Sequence, residues 1–388
     1  MGVIRTVETF RLRIDKGAPP DAPRFVASPR VRSIYPTADE TLLVRIATDD
    51  AVGWGEALAP ASPEAPGALV DHVFAPALIG ADLATGVRPL TRRLQQTGRE
   101  RGHLSGIQAD ALAAIDTALW DLLGHELGLP AHLLLGGSER AHVPVYLTSV
   151  EGSDDAARAA SARAARDAGH TRFKLHLTTS PEETLASYDA VSDAVGPGAR
   201  IAVDAHWVHQ LGDARRLARG LDERGAWFFE APLAPEDLAG HVTLAAGAIT
   251  PIAVGEAMRH RFEFAQWAQA QAVRIAQPDI GRTGITEGLA IAGVLEAQHV
   301  PIAPHHSMAT GIAYAAGLHV CAAADDLLAM EWSPHVLRRS AGFMDVSPLE
   351  LARGDDGGSP LGGSVPLPSG PGLGLTVDDD AVRALAAG

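Results

Sequence analysis

Eight short apolar runs, rich in β-branched and aromatic residues, recur through the chain from residue 143 onward, and no other feature constrains the fold as tightly. They are VPVYLTS (143–149), FKLHL (173–177), IAVDAH (201–206), AWFFEAPL (226–233), IAVGEA (252–257), VRIAQPDI (273–280), PIAPHH (301–306) and LLAMEW (327–332). They are spaced at roughly 25 residues, the length that one strand and one crossover helix need together. Alanine-rich stretches without internal proline, such as DAARAASARAARDAG and GITEGLAIAGVLEAQ, fill the gaps and suit those helices. The pattern predicts an α/β fold in which eight parallel strands close into a barrel. An open doubly wound sheet competes, but it usually carries a glycine-rich phosphate loop after its first strand, and none follows VPVYLTS.

The chain ahead of the repeat is different in kind. VETFRLRI and TLLVRIATDDAVGWGEAL alternate as strands, with Asp49, Asp50 and Gly53 as turn signals. ADALAAIDTALWDLLGHELG then places Leu112, Ile115, Leu119 and Leu122 on one helical stripe, with Gly128 and Pro130 closing it. Segregated strands and helices predict an α+β domain over residues 1–125, followed by the barrel over 126–350. The segment 351–388 opens rich in glycine, proline and serine and is expected to leave the barrel and pack back on the first domain.

A net charge of −15 across 388 residues argues against a nucleic-acid surface or an anionic membrane face. It leaves small anionic substrates open, because a local cation and a lysine make one pocket electropositive inside an acidic protein. The single cysteine, Cys321, lies in the apolar stretch GLHVCAAA and reads as a buried small hydrophobe. No signal-peptide core follows Met1 and no window is apolar enough to span a membrane, so a soluble cytoplasmic protein is expected.

In a parallel barrel the carboxyl ends of the strands face the active site. Applied here, that rule selects Lys174, His176, Asp204, His206, Glu230, Glu256, Asp279, His305 and Glu331. Asp204, Glu230 and Glu256 end three consecutive runs and offer only hard oxygen ligands, which favours Mg²⁺ over zinc. One such acid is more often a salt-bridge partner or helix cap; three in register favour a metal site. Lys174 and His176 point the same way from one strand, as do Asp204 and His206 from the next. A lysine beside a metal suits an anionic substrate oxygen, and a neutral histidine exchanges protons near neutral pH. Asp279 and His305, at the sixth and seventh strand ends, form a carboxylate–imidazole pair of the kind that prepares a general base. Adjacent His306 is expected on the other side of the pleat, so one of the two is structural, and the register that decides which is not fixed by sequence alone. Glu331, buried at the eighth strand, is expected to stay protonated and donate a hydrogen bond to a developing oxyanion.

Taken in order, VGWGEA (52–57), AAIDTALWDLLG (113–124), LLGG (134–137), FKLH, VDAHW, FFEAPL, VGEA, QPDIGRTGITE (277–287), APHHS and MEW resemble the mandelate racemase subgroup of the enolase superfamily over nearly the whole chain. The resemblance implies a modified (β/α)7β TIM-like barrel with an α+β capping domain. It also implies Mg²⁺ on Asp204, Glu230 and Glu256, an acid/base dyad of His305 and Asp279, an enolate assisted by Glu331, and a substrate carboxylate on Lys174. The shared step is removal of the proton α to a carboxylate. The cap closes over the barrel mouth in this family, so the loop from Pro19 to Tyr35 and the GRERGHLSG segment are the expected covers, with Arg24, Arg30 and His103 as possible contacts to substrate oxygens. Assembly as a dimer or octamer is a further implication.

Two departures narrow the chemistry. Lys174-Leu175-His176 stands where the racemases carry Lys-x-Lys, and Asp204-Ala205-His206 resembles the acid-sugar dehydratases with histidine at that place. A Mg²⁺-dependent dehydratase is therefore expected, in which His305 removes the α-proton and His206 or His176 assists loss of the β-hydroxyl to give a 2-keto-3-deoxy acid. An epimerase using His176 and His305, or a sugar-lactone cycloisomerase, would share every residue. A barrel that binds a ligand without turning it over is the alternative from another class, and it has no need of an Asp-polarised histidine.

Overall fold

The computed structural model describes residues 1–19, 21–28, 33–100, 104–137, 139–148, 150–351 and 363–387. Arg30 and His103 lie outside the described residues. Numbering helices of eight residues or more, the first part contains β1 (Thr6–Asp15), the hairpin β2 (Phe25–Ser28) and β3 (Ser33–Pro36), β4 (Ala38–Ala47), β5 (Val52–Ala57), α1 (Val87–Arg99) and α2 (Gly106–Leu127). β1, β4 and β5 form an antiparallel sheet with Phe10 opposite Leu43 and Leu42 opposite Ala57. Its buried face meets α2, whose middle is buried all round from Ala109 to Leu122. A helix of that length lies this close to a sheet only where the strand lacks side chains. Gly53 and Gly55 provide that gap: a Cβ at either would collide with the α2 backbone at Ala118 or Ala114.

The barrel follows as β6 (His142–Leu147), α3 (Asp155–Asp167), β7 (Arg172–His176), α4 (Pro181–Val195), β8 (Arg200–Asp204), α5 (Leu211–Arg224), β9 (Phe229–Glu230), α6 (Leu238–Ala245), β10 (Ile252–Val254), α7 (Arg261–Gln269), β11 (Ile275–Ala276), α8 (Ile285–Glu296), α9 (Gly311–Ala323) and β12 (Met330–Trp332). The sheet order is β11-β10-β9-β8-β7-β6-β12, and the barrel strands pair in parallel. The run 301–306 closes the ring through isolated parallel bridges, Ala276 to Ile302, Asp279 to His305 and Ile302 to Leu327. This is the TIM-like barrel with a cap that the repeat and the resemblance predict. The seventh strand is reduced to bridges because Pro301 and Pro304 have no N–H to give a ladder.

One buried carboxylate fastens the first part to the barrel and another fastens it to the end of the chain. Glu56 of β5 accepts from the Thr310 amide (2.8 Å), the Thr310 hydroxyl (2.6 Å), the Ala313 amide (3.1 Å) and the Thr41 hydroxyl (2.7 Å), so it caps the start of α9 just after the His305–His306 segment. Asp121 of α2 accepts from the Trp54 and Leu373 amides, both at 2.7 Å. The chain's end therefore returns to the cap, as Arg383 reaching Glu8 (3.1 Å) also shows. On its way it adds β13 (Ser364–Pro366), antiparallel to β6, before α10 (Asp379–Ala387).

Candidate active site

Register places the functional side chains. Asp204, last in β8, lies opposite His176 on one side and Glu230 on the other, and Glu230 pairs across to Ala253 in β10. Glu256 follows β10 after Gly255, whose φ of 159° and close approach to the Gln277 backbone leave no room for a Cβ. Three acids thus arrive at one end of three adjacent strands. Asp204, Glu256, Lys174, His176, His206, His305, His306 and Glu331 line one cavity of about 540 Å³, together with Tyr35 from the cap.

Lys174 is the hub of a buried charge web. Its Nζ lies 3.0 Å from Glu230 Oε1 and 2.9 Å from Glu331 Oε1, and all three side chains are about 2% exposed. Burial works against the ammonium, yet Glu230 and Glu331 outweigh it and raise the lysine well above its usual value. The same ammonium overturns the expectation that Glu331 is protonated. Burial pushes that carboxyl up, but Lys174 and His305 hold it below the ordinary range, so it is an anion and accepts hydrogen bonds, from Tyr146 Oη at 3.3 Å among others. Glu230 goes the other way, to about 8, because burial and the nearby Asp204 and Glu331 charges exceed the help from Lys174.

His305 Nδ1 stands 2.7 Å from Asp279 Oδ2, while Nε2 faces Glu256 Oε2 at 3.1 Å and Glu331 Oε2 at 3.9 Å. Burial disfavours its cation, but Glu256, Glu331 and Asp279 raise it to about 9. His306 is packed rather than paired with a carboxylate: it is 2% exposed, lies edge-on to the Tyr314 ring, and burial lowers it to about 4.

The facing wall holds the other imidazoles. His176 and His206 rings are 5.0 Å apart, and His206 stacks on Trp207 at 4.3 Å. His206 Nδ1 is 3.8 Å from Glu256 Oε1, its Nε2 is 3.4 Å from Tyr35 Oη, and its amide donates to Asp204 Oδ1 at 2.8 Å. Arg24, an expected cover residue, is instead paired within the cap to Glu40 (2.6 Å) and Glu64 (2.8 Å). Sequence reasoning missed Tyr35, Tyr146 and Gln277. Gln277 follows β11 and donates to Glu230 Oε2 at 2.5 Å, and its place at a strand end was a usable signal; Tyr35 ends the loop expected as a cover, and Tyr146 offered no signal.

Among the described residues, the ligand atoms that come within 4.8 Å of one another belong to His176, Asp204 and His206. Glu230 and Glu256 stand outside that group, since Glu230 gives its oxygens to Lys174 and Gln277 and Glu256 faces His305. The donor chemistry of the acids nevertheless fits a hard dication. Burial foremost, with the neighbouring Asp204 and Glu331 charges, keeps Glu230 up at about 8, and a shared positive charge would relieve the part that the neighbouring carboxylates contribute.

Comparison with known proteins identifies the family. Residues 25–136 match the mandelate racemase/muconate lactonizing enzyme N-terminal domain, and residues 157–381 match the enolase C-terminal domain-like family. The chain belongs to the mandelate racemase subgroup of the enolase superfamily. Within it, the chain is 32% identical to D-galactarolactone cycloisomerase of Agrobacterium fabrum, over 88% of this chain and 90% of that one. It is 31% identical to D-xylonate dehydratase of Haloferax volcanii (88% and 84% covered) and 32% to D-galactonate dehydratase of Ralstonia nicotianae (88% and 90%). A superfamily member from Agrobacterium tumefaciens superposes with a TM-score of 0.89 at 30% identity, covering 98% of each chain. No helix among the described residues is long and apolar enough to cross a membrane.

Proposed function

We propose that this enolase-superfamily protein is a Mg²⁺-dependent lyase that dehydrates an acid sugar to its 2-keto-3-deoxy acid. The observation that carries the reading is the opposition of two proton-handling walls in one cavity, His305 with Asp279 on one side and His206 with His176 on the other. Elimination needs both: a base for the α-proton and an acid for the leaving β-hydroxyl. Asp204, Glu230 and Glu256 would hold the ion, which supplies positive charge toward the substrate carboxylate when bound.

His305 takes the α-proton at Nε2. Asp279 fixes the tautomer by accepting from Nδ1, and its carboxylate is held below the usual range, burial notwithstanding, by the His305 hydrogen bond. Against the opposing effect of burial, Glu256, Glu331 and Asp279 raise His305 to about 9, and a cation held by Glu256 would offset part of that pull and bring the imidazole toward the range of a base near neutral pH. Lys174 meets the carboxylate group as developing charge accumulates there, and His206 or His176 gives a proton to the departing hydroxyl, although burial lowers His206 from its ordinary value. The dehydratases among the relatives support dehydration as the reaction.

The D-galactarolactone cycloisomerase relative favours a second reading, in which the same α-deprotonation expels a ring oxygen; epimerisation between His176 and His305 uses the site similarly. A panel of mono- and diacid sugars and lactones, assayed for keto acid with semicarbazide with and without EDTA, separates them. Keto acid with loss of water supports the dehydratase; deuterium uptake without it supports epimerisation; ring opening without water loss supports the cycloisomerase. Homo-oligomeric assembly, as a dimer or octamer, and a cytoplasmic location accompany this reading; sedimentation velocity tests the first.

A further inference from the structure

We infer that Arg339 is a specificity-determining residue that binds a second carboxylate of the substrate, so that the acid sugar is a diacid. The inference rests on the dehydratase reading and names its substrate class. Arg339 belongs to the short helix His335–Ser340 that follows β12, and it lines the same cavity as Lys174, His305 and Glu331. It is 9% exposed, too deeply placed for bulk water alone to satisfy its charge.

What holds this side chain comes from the cap. Arg339 Nε stands 3.1 Å from Asp39 Oδ1 of β4, and among the described residues that carboxylate is the guanidinium's one partner. Nη1 and Nη2 keep their donors free beside the cavity. Asp39 meanwhile serves more than one cation: Lys16 Nζ lies 3.1 Å from Oδ1 and Arg338 Nη2 lies 3.8 Å from Oδ2. Neither of these pairs with a second acid among the described residues, so three cations converge on a single carboxylate. Arg338 reaches water, with 56% of its side chain exposed, but Arg339 has only 10%. A tie between cap and barrel needs one cation; a surplus of positive charge at a cavity wall suits an anion.

The anion that fits is a carboxylate. With Nε anchored, the Nη pair presents a planar fork that matches two carboxylate oxygens. Lys174 does not serve this second group, since its ammonium is already held between Glu230 and Glu331 and meets the reacting end. Arg158 lines the cavity too, but its Nη1 donates to Asp155 Oδ1 at 2.9 Å and Ser187 Oγ at 3.2 Å, and its Nη2 to the Gly152 carbonyl at 3.3 Å. A cavity of about 540 Å³ is of the size that encloses a small ligand whole, so both ends of a sugar acid are met by the protein. A diacid places charge at each end; a monoacid brings only a hydroxyl to Arg339 and leaves the guanidinium uncompensated.

The test compares hexose-derived sugar diacids with the monoacids of the same configuration, with Mg²⁺ present. Keto acid formation is followed in the active protein, and calorimetric binding in His305→Asn, which holds substrate without turning it over. The wild type should favour the diacid by at least about tenfold in kcat/KM. Arg339→Gln should lose on the order of 100-fold on the diacid, chiefly through KM, and change the monoacid by less than about threefold. Arg339→Lys keeps the charge but not the fork and should fall between them. Equal losses on diacid and monoacid would make Arg339 a tie between cap and barrel and overturn the inference. A wild type that forms keto acid from monoacids at least as well as from diacids overturns it too, needs no variant, and leaves the dehydratase reading standing. Diacid binding that His305→Asn shows and His305→Asn/Arg339→Gln loses, without keto acid from the wild type, overturns the dehydratase reading and keeps the carboxylate subsite.

Discussion

At the scale of single residues, the site is a matter of which charge stands beside which. His305 lies between Asp279 on its Nδ1 side and Glu256 and Glu331 on its Nε2 side, so its removal should be felt in the first chemical step. His305→Ala is expected to lower α-proton exchange into D₂O by at least about 100-fold. Unchanged exchange would assign the base to another group. The cation is a separate residue-scale question, because the structure offers two donor sets. If the carboxylates hold it, Glu230→Gln and Glu256→Gln should each weaken Mg²⁺ binding in calorimetry by at least about tenfold, while His176→Gln leaves it nearly unchanged. The reverse order would favour the His176–Asp204–His206 cluster, a mixed nitrogen and oxygen set better suited to a transition metal.

At the scale of elements, sequence is most legible where one residue type has one physical reason for its place. A single acid at the end of an apolar strand is often a salt-bridge partner or a helix cap, as Glu56 is, but three at matching ends of consecutive strands are not, so Asp204, Glu230 and Glu256 stand out together in the bare sequence. The seventh strand is less legible: the prolines of PIAPHH leave only bridges, though Ile302 and His305 keep their register. The protonation of Glu331 was illegible, because it depends on Lys174, far away in sequence and 2.9 Å away in space. Tyr35 was hidden for a related reason, since it meets the barrel cavity only through the docking of the cap. The helix α9 carries another consequence of packing. His319 is fully buried in it, accepts from the His132 amide at 3.2 Å, and is pushed by burial down to about 4. Its unfolded value is about 6.5, so the unfolded chain binds the extra proton between those limits and stability falls as pH drops from about 6.5 to 4. His319→Gln lacks that linkage. Its stability deficit against wild type, from urea denaturation, should therefore shrink by on the order of 3 kcal/mol between pH 7.5 and 4. A constant deficit would mean that His319 is not held neutral.

At the scale of the whole molecule, the cap is part of the site's framework. Helix α2 is the shared element: Trp120 Nε1 donates to Thr286 Oγ1 at 2.9 Å, and Asp116 accepts from the Thr286 amide at 2.7 Å. Nearer the start of that helix, Asp110 Oδ1 accepts from Arg259 Nε at 2.8 Å, and Arg259 Nη1 in turn donates to the backbone carbonyl of Glu256 at 3.0 Å. A cap residue thus reaches a candidate metal ligand through a single guanidinium. Asp110 and Arg259 are about 12% and 10% exposed, so neutralising one leaves the other buried and unpaired. Asp110→Asn should cost about 3 kcal/mol of stability. Because the cap and barrel share one core cluster, that loss should appear as an earlier single urea transition, with tryptophan fluorescence and far-UV circular dichroism coincident. The same variant, still folded at low urea, should bind Mg²⁺ more weakly, since the Glu256 carbonyl is held by a guanidinium that has lost its anchor. Two separated transitions, or an unchanged Mg²⁺ isotherm, would instead make the cap an independent lid whose docking leaves the strand ends as they are.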